Sequence, residues 1–396
     1  TEHMIKKKYE IILYGATGFT GKICCKYFRD NYRDLAWAVA GRNKDKLEQV
    51  KSDFELECDV IVAHGDDLES LKSLASQTKV VLSTAGPFAR YGSLLVQACV
   101  EEGAHYTDIT GENHWVRGLI DKHHSEAASK GIRIIPSCGY DSIPSDLGAF
   151  FTISQFNKPV TRVDVYHEAQ GGASGGTTET IFTMDGLTKK MRDPFVLNPE
   201  KTVSEEQRQK SKDGFVIEQV DGIDGWSGIG MMAIANTRVV RRSVALMEQN
   251  QKSYGTNFTF GEHGLFSTKR MARLASYGSI IAFLVLATPL KRLVRPLLPK
   301  PGEGPSQETQ DKGWFRATFV AYAEDNERKI CSMYGSGDPG YKSTAKLVCE
   351  SALCLARSNE LPGGSEYGGV LTPAVGLGDV LIERLRNKEI EFKVLH

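Results

Sequence analysis

The sequence predicts an α/β protein in which a doubly wound parallel sheet is followed by a second, mixed α+β domain. Up to about residue 140, short apolar runs alternate with helical patterns, and beyond it strands lie next to one another. Alternating βα units form parallel sheets with right-handed crossovers, whereas strands joined by turns pair antiparallel. A chain of 396 residues also suits two domains. We expect domains at 5–140 and 141–360, with a C-terminal segment at 361–396.

The first strand and helix are joined by a glycine-rich turn. Ile11–Leu13 is apolar, and the turn Tyr14–Gly21 follows it directly. At this spacing Gly15 permits the tight turn, Gly18 lets backbone N–H groups approach a pyrophosphate, and Gly21 allows close helix packing. The alternative is a glycine-rich turn without a ligand. We favour a dinucleotide site of the Rossmann type, because a helix N-terminus also attracts anions. Its candidate residues are Gly15, Thr17, Gly18, Phe19, Thr20 and Gly21.

The end of the second strand indicates which dinucleotide binds. Cofactors with a free ribose usually meet an acidic residue about 20 residues after the glycine loop. Here the apolar run Ala36–Ala40 is followed by Arg42 and Asn43 instead. A guanidinium can hold a 2′-phosphate through two hydrogen bonds. The sequence therefore favours NADP(H) over NAD(H), although an ordinary exposed arginine is the alternative.

Four further strands complete the expected first sheet, at 59–63, 79–85, 106–109 and 132–136. Ligands of doubly wound sheets bind beyond the carboxyl ends of the strands. The expected cofactor residues at these ends are Asp66, Asp67, Ala85, Gly86 and Pro87.

The segment Cys138–Gly148 joins the two predicted domains and holds two candidate catalytic residues, Tyr140 and Asp141. Asp141 is also placed to cap the helix that follows, and this structural role is the alternative to a catalytic one. Tyr91 is a third candidate, since a tyrosine hydroxyl can donate a proton. The Tyr-x-x-x-Lys dyad of short-chain dehydrogenases is absent at Tyr91 and at Tyr140.

Composition excludes several other classes of function. The 49 basic and 49 acidic residues balance, which argues against a nucleic-acid partner. The eight cysteines form no C-x-x-C pair and lie mostly in apolar runs, as expected of reduced thiols in a cytoplasmic protein. No H-E-x-x-H motif occurs, and we expect no metal site.

The second domain combines strands, a flexible loop and a basic run. Val160–Tyr166 alternates like a strand, and 171–178 is a glycine-rich loop that is either a substrate loop or a plain connection. Arg238–Arg242 is expected at an exposed strand end. Ala317–Ala323 and Ile330–Tyr334 are expected to pair antiparallel.

One apolar segment is unusual for an ordinary dehydrogenase. Leu274–Leu290 contains no charged residue, and cations such as Arg273 and Lys291 flank it. Its length is near the lower limit for crossing a bilayer. A helix lying on an anionic lipid surface, a buried core helix and a homodimer interface all fit the pattern. We expect a homodimer and a cytoplasmic location, with peripheral attachment to lipid as an alternative.

Several motifs together resemble the saccharopine dehydrogenase-like oxidoreductase family. They are Gly15–Gly21, Ala40–Arg42, Gly86–Gly92, Tyr106–Glu112, Cys138–Gly148, Gly368–Ala374 and 378–395. The resemblance implies a Rossmann domain, a mixed α+β domain and a tail, 361–396, that returns to pack on the first domain. Members of the family include bacterial trans-acting enoyl reductases and animal proteins associated with lipid droplets.

The combined prediction is an NADP(H)-dependent oxidoreductase that reduces a hydrophobic, lipid-like carbonyl or enoyl substrate. Saccharopine itself carries several carboxylates and needs converging cationic side chains, which the sequence does not reveal. The alternative is a lipid-surface scaffold that keeps a Rossmann fold with little or no catalysis. The absence of an obvious acid–base dyad supports the scaffold, whereas the intact glycine loop opposes it.

Overall fold

The computed structural model describes residues 7–171, 192–286, 288 and 304–396. The predicted loop at 171–178 lies outside them except for its first residue, and so does the end of the apolar segment from 289 to 290. The chain divides into two compact units. The first comprises Thr1–Gly139 and Tyr341–Arg384, and the second comprises Tyr140–Gly340 and Leu385–His396.

The first unit is built on a seven-stranded parallel sheet. Numbered along the whole chain, its strands are β1 Tyr9–Tyr14, β2 Trp37–Gly41, β3 Asp59–Val62, β4 Thr78–Ser83, β5 His105–Asp108, β6 Arg133–Ile135 and β12 Gly369–Val370. Their order is β12-β6-β5-β4-β1-β2-β3, so the predicted doubly wound sheet is confirmed. Strands buried on both faces are continuously apolar, and Ile11, Ile12 and Leu13 of β1 are fully buried.

Helices connect these strands. They are α1 Phe19–Asn31, α2 Lys44–Asp53, α3 Leu68–Ser76, α4 Phe88–Tyr91, α5 Ser93–Glu102 and α6 Asn113–Ser129. Later in the chain, the unit gains α12 Thr344–Arg357, α13 Pro373–Gly376 and most of α14 Gly378–Arg386. Helix α12 packs against α1, β1, β4 and β5. It therefore belongs to the first unit, which differs from the predicted domain boundary at 360, because its apolar face covers the parallel sheet.

The second unit contains a six-stranded mixed sheet in the order β13-β11-β10-β7-β9-β8. The strands are β7 Val160–Gln170, β8 Trp226–Ile229, β9 Thr259–Phe266, β10 Trp314–Ala323, β11 Arg328–Ser336 and β13 Ile390–Val394. Its helices are α7 Ile143–Ser154, α8 Glu205–Lys210, α9 Ala233–Gln249, α10 Lys269–Leu286 and α11 Gln307–Lys312. Strands β7 and β9 are parallel. The predicted antiparallel pairing is confirmed, with Phe319 of β10 opposite Cys331 of β11.

The C-terminal segment is shared between the units, which differs from the prediction that all of 361–396 packs on the first domain. Strand β12 pairs with β6, and the buried Arg133 guanidinium donates hydrogen bonds to the carbonyls of Pro362, Gly364 and Gly376. Strand β13 instead pairs with β11 in the second unit. The alternating residues Ile390 and Phe392 are buried there, so the edge of the second sheet offers that strand both backbone partners and apolar contacts.

The prediction of an exposed strand end at Arg238–Arg242 was wrong. These arginines lie in α9, and all three guanidinium-bearing side chains are buried. Arg238 makes two hydrogen bonds with the Asp213 carboxylate, at 2.5 and 2.6 Å. Arg241 and Arg242 donate to the carbonyl oxygens of Pro194 and Leu197. Because a carboxylate and backbone carbonyls accept hydrogen bonds from these guanidinium groups, a basic run can be buried.

Candidate active site

The glycine loop of the first unit has three glycines with three different surroundings. Gly15 has φ of +90°, and a Cβ there would lie 2.9 Å from the Ala85 nitrogen. A Cβ at Gly21 would overlap the backbone of Gly15 and Ala16. A Cβ at Gly18 would meet only the Gly15 carbonyl oxygen, at 3.4 Å. Gly15 and Gly21 are therefore required by the fold, whereas Gly18 leaves open space of the kind a pyrophosphate needs.

The start of α1 suits an anion. Gly18 is its N-cap and supplies no side-chain hydrogen bond, and the first turn of the helix has no acidic residue. Free N–H groups at a helix start carry a partial positive charge. Thr17, Phe19 and Thr20 are only partly buried. The residues present thus fit a dinucleotide phosphate group.

The loop after β4 is tied to the glycine loop. The Thr84 N–H donates to the Tyr14 carbonyl over 2.9 Å, and the Thr84 hydroxyl donates to the Gly15 carbonyl over 3.1 Å. Since β1 and β4 are neighbours, their carboxyl ends bring Gly15 and Ala85 together. The predicted placement of Ala85, Gly86 and Pro87 as cofactor residues stays a prediction, which this proximity favours.

Arg42 and Asp66 lie close to the hydroxyl of Tyr14, at the ends of neighbouring strands. Burial raises the pKa of Tyr14; the Arg42 charge lowers it, and the Asp66 charge raises it further. The Arg42 side chain is exposed. A guanidinium so placed at the end of β2 is available to a 2′-phosphate.

Two of the predicted cofactor residues have a structural role as helix caps. The Asn43 side chain accepts a hydrogen bond from the Lys46 N–H of α2 over 3.0 Å. The Asp67 carboxylate accepts from the Glu69 and Ser70 N–H groups of α3. Capping by itself accounts for these residue types, and contact of Asn43 and Asp67 with the cofactor stays a prediction.

Glu112 is a residue whose role the sequence did not reveal. Its carboxylate is buried and accepts hydrogen bonds from the N–H groups of Phe88, at 2.8 Å, and Ala89, at 2.9 Å. These N–H groups begin α4, where the N-cap is Pro87 and offers no side-chain acceptor. Two features of the sequence could have indicated this role of Glu112. It is an acidic residue that follows β5, and the start of α4 has a proline where a capping side chain would be expected.

Asp108 joins the ends of β5 and β6. Its buried carboxylate accepts hydrogen bonds from the Tyr106 hydroxyl and from the N–H groups of Thr110 and Ser137, each at 2.9 Å. Burial raises the pKa of Asp108 to about 7, although these three donors favour the charged form.

The three predicted catalytic residues fall in different units. Tyr91 lies in α4 of the first unit, with the Arg90 guanidinium over its ring. Tyr140 and Asp141 begin the second unit. The Tyr140 ring packs edge-on against His167, at 6.2 Å between centroids, and against Phe315, at 5.2 Å.

Asp141 is not the cap of α7. The N-cap is Ser142, and the helix start has no side-chain capping bond among the described residues. Burial raises the pKa of Asp141 to about 6, and the nearby Glu262 charge raises it further. A carboxyl group with such a pKa can exchange a proton near neutral pH. The catalytic roles of Tyr91, Tyr140 and Asp141 stay predictions.

All eight cysteines are buried, and none of them forms a disulfide. Within the described ranges, no three His, Cys, Asp or Glu side chains come together as metal ligands would.

Helix α10 presents an exposed apolar face. Its residues Ala272 and Ser276 are fully buried, and the Ser276 hydroxyl accepts a hydrogen bond from the Ile229 N–H of β8. The apolar side chains that it exposes are Met271, Leu274, Tyr277, Ile281, Phe283 and Leu284. Of the helices that the structure describes, none has both the length and the apolar content needed to cross a bilayer. Because these apolar side chains are exposed, α10 is not a buried core helix of the single chain.

Comparisons with known proteins agree with this geometry. Residues 11–135 match the family described as the saccharopine dehydrogenase NADP binding domain. Trans-acting enoyl reductases of Mycobacterium leprae and of Mycobacterium tuberculosis strain H37Rv are each 32% identical, with 96% of both chains covered. A second protein of the same Mycobacterium tuberculosis strain is 33% identical over 96% of both chains.

The fold of the whole chain also has a solved counterpart. The apo saccharopine dehydrogenase (L-Glu forming) of Saccharomyces cerevisiae superposes with a TM-score of 0.53 over 98% of this chain and 99% of that one, at 13% identity. The glycine loop, the missing acid after β2 and the NADP-binding match together specify the cofactor as NADP(H). The chain belongs to the saccharopine dehydrogenase-like family and is an NADP-dependent oxidoreductase.

Proposed function

We propose that the protein uses NADPH to reduce the carbonyl or enoyl group of a hydrophobic, lipid-like substrate. The observation that carries this proposal is the exposed apolar face of α10. Large apolar patches on a protein surface commonly mark sites that meet lipids, apolar ligands or partners. The name of the mycobacterial relatives, trans-acting enoyl reductase, supports the enoyl group as the group that is reduced.

The reaction requires the protein to bind NADPH and the substrate and to supply a proton. NADPH supplies a hydride when bound, and the chain positions it and excludes water. The glycine loop and the start of α1 hold the phosphates in this proposal, and Arg42 holds the 2′-phosphate. Tyr140 and Asp141 are proposed to face the substrate.

The buried arginines do not form a site for a polycarboxylate such as saccharopine. Arg133 is engaged with three backbone carbonyls of the first unit. In the second unit Arg238 is paired with Asp213, and Arg241 and Arg242 donate to carbonyls. Because these guanidinium groups already donate to a carboxylate and to carbonyls, recruiting them for substrate carboxylates would leave those acceptors unpaired.

The test is a reductase assay that follows NADPH oxidation. The substrates are long-chain and short-chain trans-enoyl thioesters and ketones. Saccharopine, which can only be oxidised, is assayed separately with NADP⁺ as the polar comparison. We expect turnover that rises with chain length, because apolar contact area increases the binding energy. Turnover of saccharopine alone would contradict the proposed substrate class, and tight NADPH binding without any turnover would favour the scaffold alternative.

A second proposal concerns location: α10 rests on an anionic lipid surface. The helix has no acidic residue, and Lys269, Arg270 and Arg273 are exposed in its first turns. Met231, in the loop between β8 and α9, adds to the same surface, since its sulfur contacts Ser279 and the residue is 79% exposed. Apolar side chains beside cations are the composition that peripheral membrane helices use.

A further inference from the structure

The start of α1 has a neighbour in the first unit that the proposed function does not yet use. Residues Pro339–Ser343 form a π-helical turn that runs directly into α12. The last three of these residues, from Tyr341 onward, belong to the first unit. Turns of this kind are rare in proteins, and they occur frequently at functional sites. This one contacts the helix whose start is expected to hold the dinucleotide phosphates.

Helices α1 and α12 lie side by side and run in the same direction. Phe19, the first residue of α1, contacts Tyr341 just before α12 begins. Further along both helices, the Tyr27 hydroxyl donates a hydrogen bond of 2.6 Å to the Glu350 carboxylate. The contacts therefore advance together along the two helices. Because the helices are parallel, α12 starts next to the glycine loop.

The start of α12 is also at the carboxyl edge of the parallel sheet. A Cβ at Gly139 would lie 3.2 Å from the Thr344 methyl group and 3.4 Å from Ile109. Ile109 follows β5 directly, and Gly139 comes shortly after β6. Ligands of doubly wound sheets bind at this edge. The π-helical turn is therefore on the side of the sheet where the cofactor is expected.

An aromatic contact joins the π-helical turn to the glycine loop. The Tyr341 and Phe19 rings meet edge to face, with centroids 5.1 Å apart and planes at 88°. Tyr341 is 4% exposed, whereas Phe19 is only partly buried. Edge-to-face packing favours one relative orientation of two rings. The enclosed ring of Tyr341 thus fixes the residue that follows Gly18, where open space suits a pyrophosphate.

We propose that Tyr341 is a positioning residue for NADPH, which holds Phe19 and with it the first turn of α1 at the dinucleotide phosphates. At the beginning of the glycine loop, the Thr84 hydroxyl donates to the Gly15 carbonyl. The β4 loop and the π-helical turn then support the glycine loop at both of its ends. A backbone held in this way does not have to reorganise when the cofactor binds, which raises affinity. The assignment rests on the NADP(H) site and not on the proposed substrate.

The experiment measures the dissociation constant of NADPH for Tyr341→Ala in the full-length protein, well below its melting temperature. We expect the Kd to rise about tenfold, since an aromatic pair can contribute that factor to an equilibrium constant. Tyr341→Phe keeps the ring, and its Kd should remain within about threefold of the wild-type value.

Tyr27→Ala is the matched control, because it removes an aromatic side chain at the other end of the same helix pair. It should lower the melting temperature and leave the Kd of NADPH nearly unchanged. A residue with a merely structural role would behave like Tyr27. An equal rise in Kd for Tyr341→Ala and Tyr27→Ala therefore overturns the proposal, and so does a Tyr341→Phe variant as weak as Tyr341→Ala.

A double-mutant cycle shows whether Tyr341 acts through Phe19. Phe19→Ala should weaken NADPH binding, and adding Tyr341→Ala to it should cause little further loss, because the contact is already gone. Losses that simply add would contradict the assignment.

Hydrogen exchange of the wild type decides the question if the alanine variants do not fold. NADPH should slow the exchange of amides in 339–343 as well as in the first turn of α1. Protection confined to α1 overturns the proposal. A wild type that binds no NADPH overturns the cofactor site and this role with it. A wild type that binds NADPH and reduces none of the tested substrates contradicts the proposed substrate alone.

Discussion

Glu112 Oε1 accepts a hydrogen bond of 2.8 Å from the backbone N–H of Phe88, the first residue of α4. The two residues are 24 positions apart, and the contact joins the loop after β5 to the loop after β4. Because the glycine loop is tied to that same β4 loop through Thr84, the Glu112 carboxylate helps to set the backbone that the cofactor is expected to meet.

Replacing Glu112 tests this relationship. Glu112→Ala leaves the Phe88 and Ala89 N–H groups without their acceptor, and we expect a loss in unfolding free energy of about 2–4 kcal/mol. Glu112→Gln keeps one acceptor oxygen, so its unfolding free energy should lie between those of the wild type and Glu112→Ala. Chemical denaturation measures both, with the exposed Glu101→Ala as control. Equal stabilities of the three variants would show that the contact contributes nothing.

The glycines of the loop should respond differently to the same substitution. Gly18→Val should abolish NADPH binding and leave the fold intact, because the position has ordinary backbone angles and open space for a side chain. Gly21→Val should instead destabilise the protein, since its Cβ overlaps the turn. Calorimetric titration and thermal melting separate these effects. Unchanged NADPH affinity in Gly18→Val would remove the loop from the cofactor site.

Arg42→Ala should discriminate between the two nicotinamide cofactors. Loss of a charge-assisted contact with the 2′-phosphate should weaken NADPH at least about tenfold, with little change for NADH. Lys44→Ala is the matched control, because Lys44 is also exposed and lies two residues further on. Titrations of both variants with both cofactors are needed, and parallel losses for NADPH and NADH would contradict the assignment.

Asp108 should make stability depend on pH. Burial raises its pKa from the ordinary value of 3.8 to about 7 in the folded protein. The stabilising effect of the protonated Asp108 carboxyl is therefore fully present below pH 3.8, where the group is protonated in both the folded and the unfolded protein. As the pH rises from 3.8 to about 7, ionisation of Asp108 favours the unfolded chain. The free energy of unfolding falls by on the order of 4 kcal/mol over this range.

Asp108→Asn provides the reference for this effect, since a neutral amide of the same shape does not titrate. The difference in unfolding free energy between wild type and variant should change across this pH range and level off on either side. Denaturation at a series of pH values measures it. A constant difference would show that the folded pKa is not raised.

The α10 surface can be tested with a double charge substitution. Phe283 and Leu284 are 60% and 58% exposed, so replacing both with Asp should leave the chain folded. We expect the variant to lose binding to vesicles that contain anionic lipids. Val394→Asp with Leu395→Asp, at another exposed apolar site, is the control.

Sedimentation of the same variants tests the predicted homodimer. Dissociation of a dimer by the Phe283 and Leu284 substitutions would assign the surface to a second copy instead of lipid. Unchanged vesicle binding and unchanged mass would show that the surface serves neither partner.

Local features of the sequence determined the first unit and its cofactor. Glycine spacing, a missing acid near Arg42 and alternating apolar runs each depend on residues close together in the chain, and backbone geometry fixes what they can form. For this reason the doubly wound sheet and the turn at Gly15 could be predicted without coordinates. The family motifs added the expectation that the tail returns to the first sheet.

Tertiary structure alone decided the features that depend on distant residues. Ser145 and Glu262 are 117 positions apart, and no periodic pattern signals that their side chains meet. The burial of Arg238–Arg242 required carbonyl partners from another segment, and the pairing of β13 with β11 required a free sheet edge. Short-range patterns specify secondary structure, whereas the partners of a buried polar group are settled only when the whole unit has packed.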